Sequence, residues 1–205
     1  MFSICKLNNL LVKFVLMFTK TYYRGLEMIN KEELKSLLKK AELIIGDECK
    51  LSKDFILSLF YFKYICDIYN ERVKNIKEEF FGDERAISGK ISRFTITLTE
   101  DTLFDYFYKN INKSNITSIL KAGIIKFKSN HKNDAWLSSV ITAINLDYIP
   151  DYIDKIKVNV IRELLELFNA CDLSGKEEYD LMVTAFEYFH HWKFSFQSFR
   201  EYTGM

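Results

Sequence analysis

The chain has 205 residues, 48% hydrophobic and 16% aromatic, which is enough to bury one large core and too apolar for a disordered chain. Its net charge of +1 comes from 29 basic and 28 acidic residues; four of the former and one of the latter lie in 1–27, so 28–205 hold 25 basic and 27 acidic. That balance excludes a generally basic body, and any nucleic-acid contact has to be a local patch.

Residues 1–27 are apolar and basic, with Lys6, Lys13, Lys20 and Arg24 against Glu27. The longest uncharged apolar run, Phe14 to Phe18, is far short of the roughly 20 residues of a membrane span, and no small-residue cleavage site follows it. The segment reads as a non-native extension before a start at Met28, with a basic amphipathic anchor or targeting segment as the alternative. No membrane association is expected of the remainder.

One proline and seven glycines among 205 residues predict long helices and an all-α fold, a bundle-like domain with one short extended segment near 94–98. A first helix is expected over 31–45, capped by Asn30 with Glu33 three residues on, with Leu34, Leu37, Leu38, Ala41 and Ile45 inward and Gly46 as its stop. A second begins after Ser52 and runs to about Phe81. Phe55, Leu59, Phe62, Cys66, Tyr69, Val73, Ile76 and Phe80 form its seam. Its first half is apolar almost all round and should be the central buried helix, while its charged second half should emerge into solvent.

Residues 82–98, with two glycines and the β-prone run Phe94–Leu98, read as a loop with an extended piece. Thr99 then caps a helix over about 100–110, and Ser114 opens another with Ile116, Ile119, Leu120, Ile124 and Phe127 inward. A helix near 134–145 precedes a break at Pro150. A further helix spans about 152–170 with Ile156, Val160, Leu164 and Leu167 inward. The last, introduced by Ser174 with Glu177 as a capping box, runs to about Lys193. Residues 28–193 are treated as one domain, and 194–205 as the start of a linker.

Catalytic signals are absent from the sequence. No glycine-rich nucleotide loop, P-loop or nucleophile elbow occurs. The cysteines Cys5, Cys49, Cys66 and Cys171 are far apart, with no CxxC pair or histidine at ligand spacing, and read as reduced thiols in a cytoplasmic protein rather than zinc ligands. His190 and His191 are neighbours on a helix and diverge; Glu163 and Glu166 lie opposite the apolar stripe and read as solvated. Lys63 stands alone in the most apolar stretch. It either snorkels to the surface or pairs with a buried acid, Asp67 one turn later being the nearest.

The run Phe60-Tyr-Phe-Lys-Tyr-Ile-Cys-Asp67 resembles a segment of the N-terminal helical domain of type I restriction-modification methyltransferase subunits. Asp172-Leu-Ser174 followed by Asp180-Leu-Met-Val-Thr-Ala-Phe-Glu-Tyr-Phe189 is similar to the family's second motif, with Asp180, Phe186, Glu187 and Tyr188 at corresponding places. Val183 departs from the family's glycine and Cys66 from its serine. Arg200-Glu-Tyr-Thr203 looks like the entrance to the methyltransferase domain, with Gly204 in place of the proline.

The resemblance implies a parent subunit that transfers a methyl group from S-adenosylmethionine to the amine of a flipped-out adenine. The specificity and restriction subunits of a type I complex would be its partners, and the helical domain would clamp DNA and contact them. The cofactor loop and the catalytic motif of the family lie beyond such a domain, so a truncated or split product, or an expressed fragment, is expected, with no catalytic or cofactor residue here. For DNA, Lys121, Lys128 and Lys132 share one helical stripe if the helix opened at Ser114 runs that far, with Lys126 and His131 adding positive charge nearby. The alternative is a helical protein-protein interaction module with no DNA contact.

Overall fold

The computed structural model describes residues 30–46, 52–94, 96–131, 149–174, 184–185 and 187–189. Among them the fold is all-α, with no strand. The first helix, α1, is Lys31–Ile45. The Asn30 side chain accepts from the N–H groups of Glu32 and Glu33 at 3.0 Å, and Glu33 takes the Asn30 N–H in return at 2.9 Å. This reciprocal cap satisfies amides that a helix start otherwise leaves without partners. Leu34, Leu37, Leu38, Ala41 and Ile45 are all buried, as expected. Gly46 closes the helix at φ 54°, its N–H donating to the Glu42 carbonyl.

The axis of the domain is α2, Ser52–Glu79. Every residue from Phe55 to Ile68 is buried, and beyond Tyr69 the helix emerges into solvent, as its change of composition predicts. Helix α2 packs against α1, α3 (Glu84–Ile91), α4 (Phe104–Lys109), α6 (Ile149–Ile153) and α7 (Val158–Asn169). Aromatic rings make these contacts specific. Phe55 meets Tyr152 of α6 edge-on, and Phe60 meets Phe168 of α7. Phe62 stacks on Phe107 of α4 at 5.9 Å and meets Phe127 of α5 (Ile116–Asn130) edge-on at 5.6 Å.

Several boundaries differ from the sequence expectation. Residues 84–91, expected as loop, are helix α3. The Asp83 carboxylate accepts from the Arg85 and Ala86 amides at 3.1 Å, and this cap outweighs Gly89 in the helix interior. The extended piece carries a true period-two pattern, Ile96 and Leu98 buried and Thr97 and Thr99 exposed, but it lies on helices rather than pairing with a strand. The helix over 100–110 is broken into a 3-10 turn, Glu100–Thr102, and α4. The buried Thr102 hydroxyl both donates to the Thr99 carbonyl and accepts the Thr99 N–H, and this local closure competes with continuing the helix.

Helix α5 starts two residues later than Ser114, with Asn115 at its N-cap, and continues through Ser129 and Asn130. The expected helix over 152–170 is two. A turn over 154–157 lets Ile156 reach the core, and Lys157 adopts extended backbone before α7 begins. The buried face of α7 is Val160, Ile161, Leu164, Leu165 and Phe168, with Leu167 only half-buried. Pro150 lies in the first turn of α6, where a missing N–H costs nothing. Arg162 of α7 donates to the carbonyls of Ile111 and Lys113, fastening the α4–α5 connection. The 1–27 extension, the helix near 134–145, residues 190–205 and most of the last expected helix lie outside the described residues; Thr184, Ala185 and 187–189 are helical.

Candidate functional site

The chemistry of Lys63 is decided by its place on α2. The residue is 4% exposed, too deep to snorkel, and its ammonium meets both carboxylate oxygens of Asp67 at 2.5 Å. The spacing of four places both side chains on one face of the helix. The ammonium also lies 5.5 Å from the centroid of the Phe104 ring, a cation–π contact in a desolvated setting. Asp67 has a further partner, accepting the backbone N–H of Leu173 at 2.9 Å. Next to it, Asp172 accepts from both the N–H and the hydroxyl of Ser174. The two sequence segments that carry the family resemblance, 60–67 and 172–174, therefore meet at one buried carboxylate. Burial raises the Asp67 carboxyl above its ordinary range, a push that Lys63 and the Leu173 amide offset only in part.

Tyr188 forms a second tie, its phenol donating to the Glu42 carboxylate of α1 at 2.8 Å. Burial, and then the neighbouring carboxylate, pushes that phenol up to about 12. The adjacent Phe189 is buried and meets the Tyr188 ring edge-on, and Glu187 is half-buried. Asp180 and Phe186, the other residues matched to the second motif, lie outside the described residues.

The lysine stripe is carried by α5. Lys121 and Lys128 lie on one side of an unbroken helix, both half-buried, and Lys132 lies outside the described residues. Lys121 is ion-paired with Asp154, and Lys126 with Asp101 at 2.6 Å, so acidic partners already face part of the positive charge. The Lys126 hydrogen bond holds the Asp101 carboxyl below its usual range. His131 does not add to the charge as expected from sequence. It is buried, its Nε2 accepts the Thr97 N–H at 3.1 Å, and its Nδ1 faces the Phe127 carbonyl at 2.7 Å. A nitrogen that accepts carries no proton, so the ring is the neutral Nδ1–H tautomer locking the extended piece to the end of α5. Its burial was signalled only by its position four residues after Phe127 on the inner stripe.

Glu163 and Glu166 are exposed on α7, and His190 and His191 lie outside the described residues. Among the described residues no group of three or more histidines, cysteines, aspartates or glutamates could hold a metal ion, and no helix is long and apolar enough to cross a membrane. The described glycines sit at a helix end (Gly46), in a turn (Gly82), inside α3 (Gly89) and against the Phe107 ring (Gly123). Burial also pushes the Cys66 thiol up, making it a packing group rather than a nucleophile.

These features define an all-α domain whose distant segments meet at a buried charged pair. A family model described as the HsdM N-terminal domain matches residues 48–168, more than half of the chain, whereas no curated protein and no solved structure matches it. The chain belongs to that family, the N-terminal domain of type I restriction-modification DNA methyltransferases. The match includes the 60–67 segment and ends before 172–174, which the Asp67–Leu173 hydrogen bond ties to it.

Proposed function

We propose that this domain clamps DNA beside the methylation centre of a cytoplasmic type I restriction-modification complex and contacts the specificity and restriction subunits, without itself performing methyl transfer. Membership of the HsdM N-terminal domain family carries the reading. Transfer from S-adenosylmethionine to a flipped-out adenine belongs to the methyltransferase domain of the parent subunit. In this reading α5 follows the phosphate backbone. Exposed ion pairs such as Lys121–Asp154 contribute at most about 1 kcal/mol, so a phosphate can displace the carboxylate at small cost.

Filter binding of the assembled complex to duplex DNA across a salt series tests this. The triple variant Lys121→Glu, Lys128→Glu, Lys132→Glu should bind more weakly, with the log–log salt slope reduced by about one for each phosphate that is no longer neutralised. An unchanged slope removes α5 from the DNA path. The Lys121–Asp154 and Lys126–Asp101 pairs favour the second reading, a protein-interaction module without DNA contact, which that result would leave standing.

A further inference from the structure

Helix α5 carries lysines on both sides of its outermost ridge. Lys121 and Lys126 stand about 140° apart around the helix at 3.6 residues per turn. Within that angle lie Ser118, Ala122, Ile125 and Ser129, all exposed and uncharged. Each lysine is drawn to its own flank by a carboxylate from a connecting turn. Lys121 pairs with Asp154, just after α6. Lys126 pairs with Asp101 of the 3-10 turn, at 2.8 and 2.6 Å to its two carboxylate oxygens.

Both carboxylates are held in place by the fold. The Asp101 side chain also accepts the Thr99 hydroxyl at 2.7 Å, beside the buried Thr102. The turn that carries it presses on α5 at Gly123, where an added β-carbon would sit 3.0 Å from the Asp101 carbonyl oxygen. Glycine at 123 therefore lets this turn approach α5 closely, one helical turn from Lys126. On the other flank, Asp154 opens the 154–157 turn between the buried Ile153 and Ile156. As folding contacts such exposed pairs are worth little. Their consequence is electrostatic, because each carboxylate occupies an ammonium that a phosphate oxygen would otherwise take.

We propose that Asp101 and Asp154 are resident competitors for DNA phosphate, each holding one α5 lysine at its flank until a phosphate takes the carboxylate's place. With both pairs closed, the helix presents an uncharged ridge. With both open, two ammonium groups reach forward on either side of one phosphate strand, and the short side chains of Ser118, Ala122 and Ser129 let that strand come close. An exposed pair sets a barrier of at most about fivefold in affinity, so the two together weaken the sequence-independent grip by about ten- to twentyfold. The proposal rests on the reading that α5 follows the phosphate backbone, and adds the regulation of that surface.

The test is filter binding of the assembled complex to a duplex without a target site, at low salt. Asp101→Asn and Asp154→Asn should each tighten binding about three- to fivefold, and together about ten- to twentyfold. Glu79→Gln, which removes an exposed carboxylate from the emergent half of α2, should stay within about twofold of wild type. The gain of Asp101→Asn should vanish in a Lys126→Gln background, and that of Asp154→Asn in a Lys121→Gln background. Gains that persist in those backgrounds overturn the competitor role, since they then reflect only the loss of a negative charge. Gains no larger than that of Glu79→Gln overturn it as well. If Asp101→Asn fails to fold, Asp154→Asn and its Lys121→Gln background decide alone. Silent aspartate variants beside a triple-lysine variant that has lost salt slope remove the competitors and leave the DNA reading intact. A triple-lysine variant with the wild-type slope overturns both.

Discussion

Replacing Lys63 by methionine removes one charge from a pair of which neither member reaches bulk water. With charges roughly 3 Å apart and an effective dielectric of about 20, their attraction is about 5 kcal/mol, against several kcal/mol of desolvation for each ion, so the intact pair is near break-even. The single variant loses the attraction but keeps the desolvated Asp67 carboxylate, and Lys63→Met should destabilise the domain by about 3–5 kcal/mol at neutral pH. Asp67→Asn should be of the same order. It preserves an acceptor for the Leu173 N–H but strands the ammonium over Phe104.

The double variant Lys63→Met/Asp67→Asn removes both charges, keeps the acceptor, and should be less destabilised than either single. Urea unfolding of all four proteins gives the coupling directly. There is also a pH signature. The Asp67 carboxyl is raised above its ordinary value of 3.8, so the folded state holds that proton more tightly than the unfolded chain does. Its contribution is complete below the unfolded value and is lost as pH rises through the folded value. Without Lys63 that folded value climbs further and the window widens towards neutrality, so the deficit of Lys63→Met should shrink as pH falls from about 7 towards about 4. Additive single effects, or a deficit independent of pH, would refute the buried-pair account.

Three further outcomes are expected. Phe62→Ala removes the ring that meets both Phe107 and Phe127 and should cost about 3–5 kcal/mol in chemical denaturation, while Lys77→Ala on the emergent half of α2 should stay within about 0.5 kcal/mol. Gly123→Ala would place its new methyl 2.4 Å from the Phe107 ring, in a core with no slack; despite alanine's better helix propensity it should lower stability by about 1–3 kcal/mol, seen as a fall in the thermal midpoint. Tyr188→Phe should remove about 0.5–1.5 kcal/mol near neutrality, and since the phenol is raised from 10.0 to about 12, that contribution is complete below pH 10 and disappears as pH rises through about 12, which paired melts of the two proteins would show.

The parts of the fold legible from sequence are those where one periodicity runs unopposed. Helix α1 has a reciprocal cap, a five-residue stripe and a terminal glycine all in agreement, and α2 changes from apolar to charged where it leaves the core. The misread boundaries are sites of local competition. Thr102 folds its hydroxyl back onto Thr99, Lys157 turns extended, and Asp83 starts a helix in a glycine-containing stretch. At the seam, spacing alone placed Asp67 beside Lys63 but left two outcomes open, because a lysine stem of four carbons reaches solvent from shallow sites. Depth was the deciding quantity, and depth is set by α4 and the 172–174 segment lying over the pair. A hydrogen bond across 106 residues has no local signature. Nor has the neutral state of His131, which follows from an amide 34 positions away.

The continuous burial of Phe55–Ile68 also bears on how the chain is made. Its i, i+4 partner lets Lys63 neutralise its charge as soon as α2 coils, so the helix can enter a collapsed state without waiting for distant chain. The aromatic faces are less fortunate. Phe60 waits for Phe168 and Asp67 for the Leu173 amide, about a hundred residues further along. At ribosomal speeds of roughly 5–20 residues per second, those two contacts of α2 stay unmade for about 5–20 s during each round of synthesis, although α1, Phe107 and Phe127 can cover other parts of the helix sooner. Over that interval the nascent chain is a client for holdase chaperones, and overexpression should favour inclusion bodies unless synthesis is slowed by cooling.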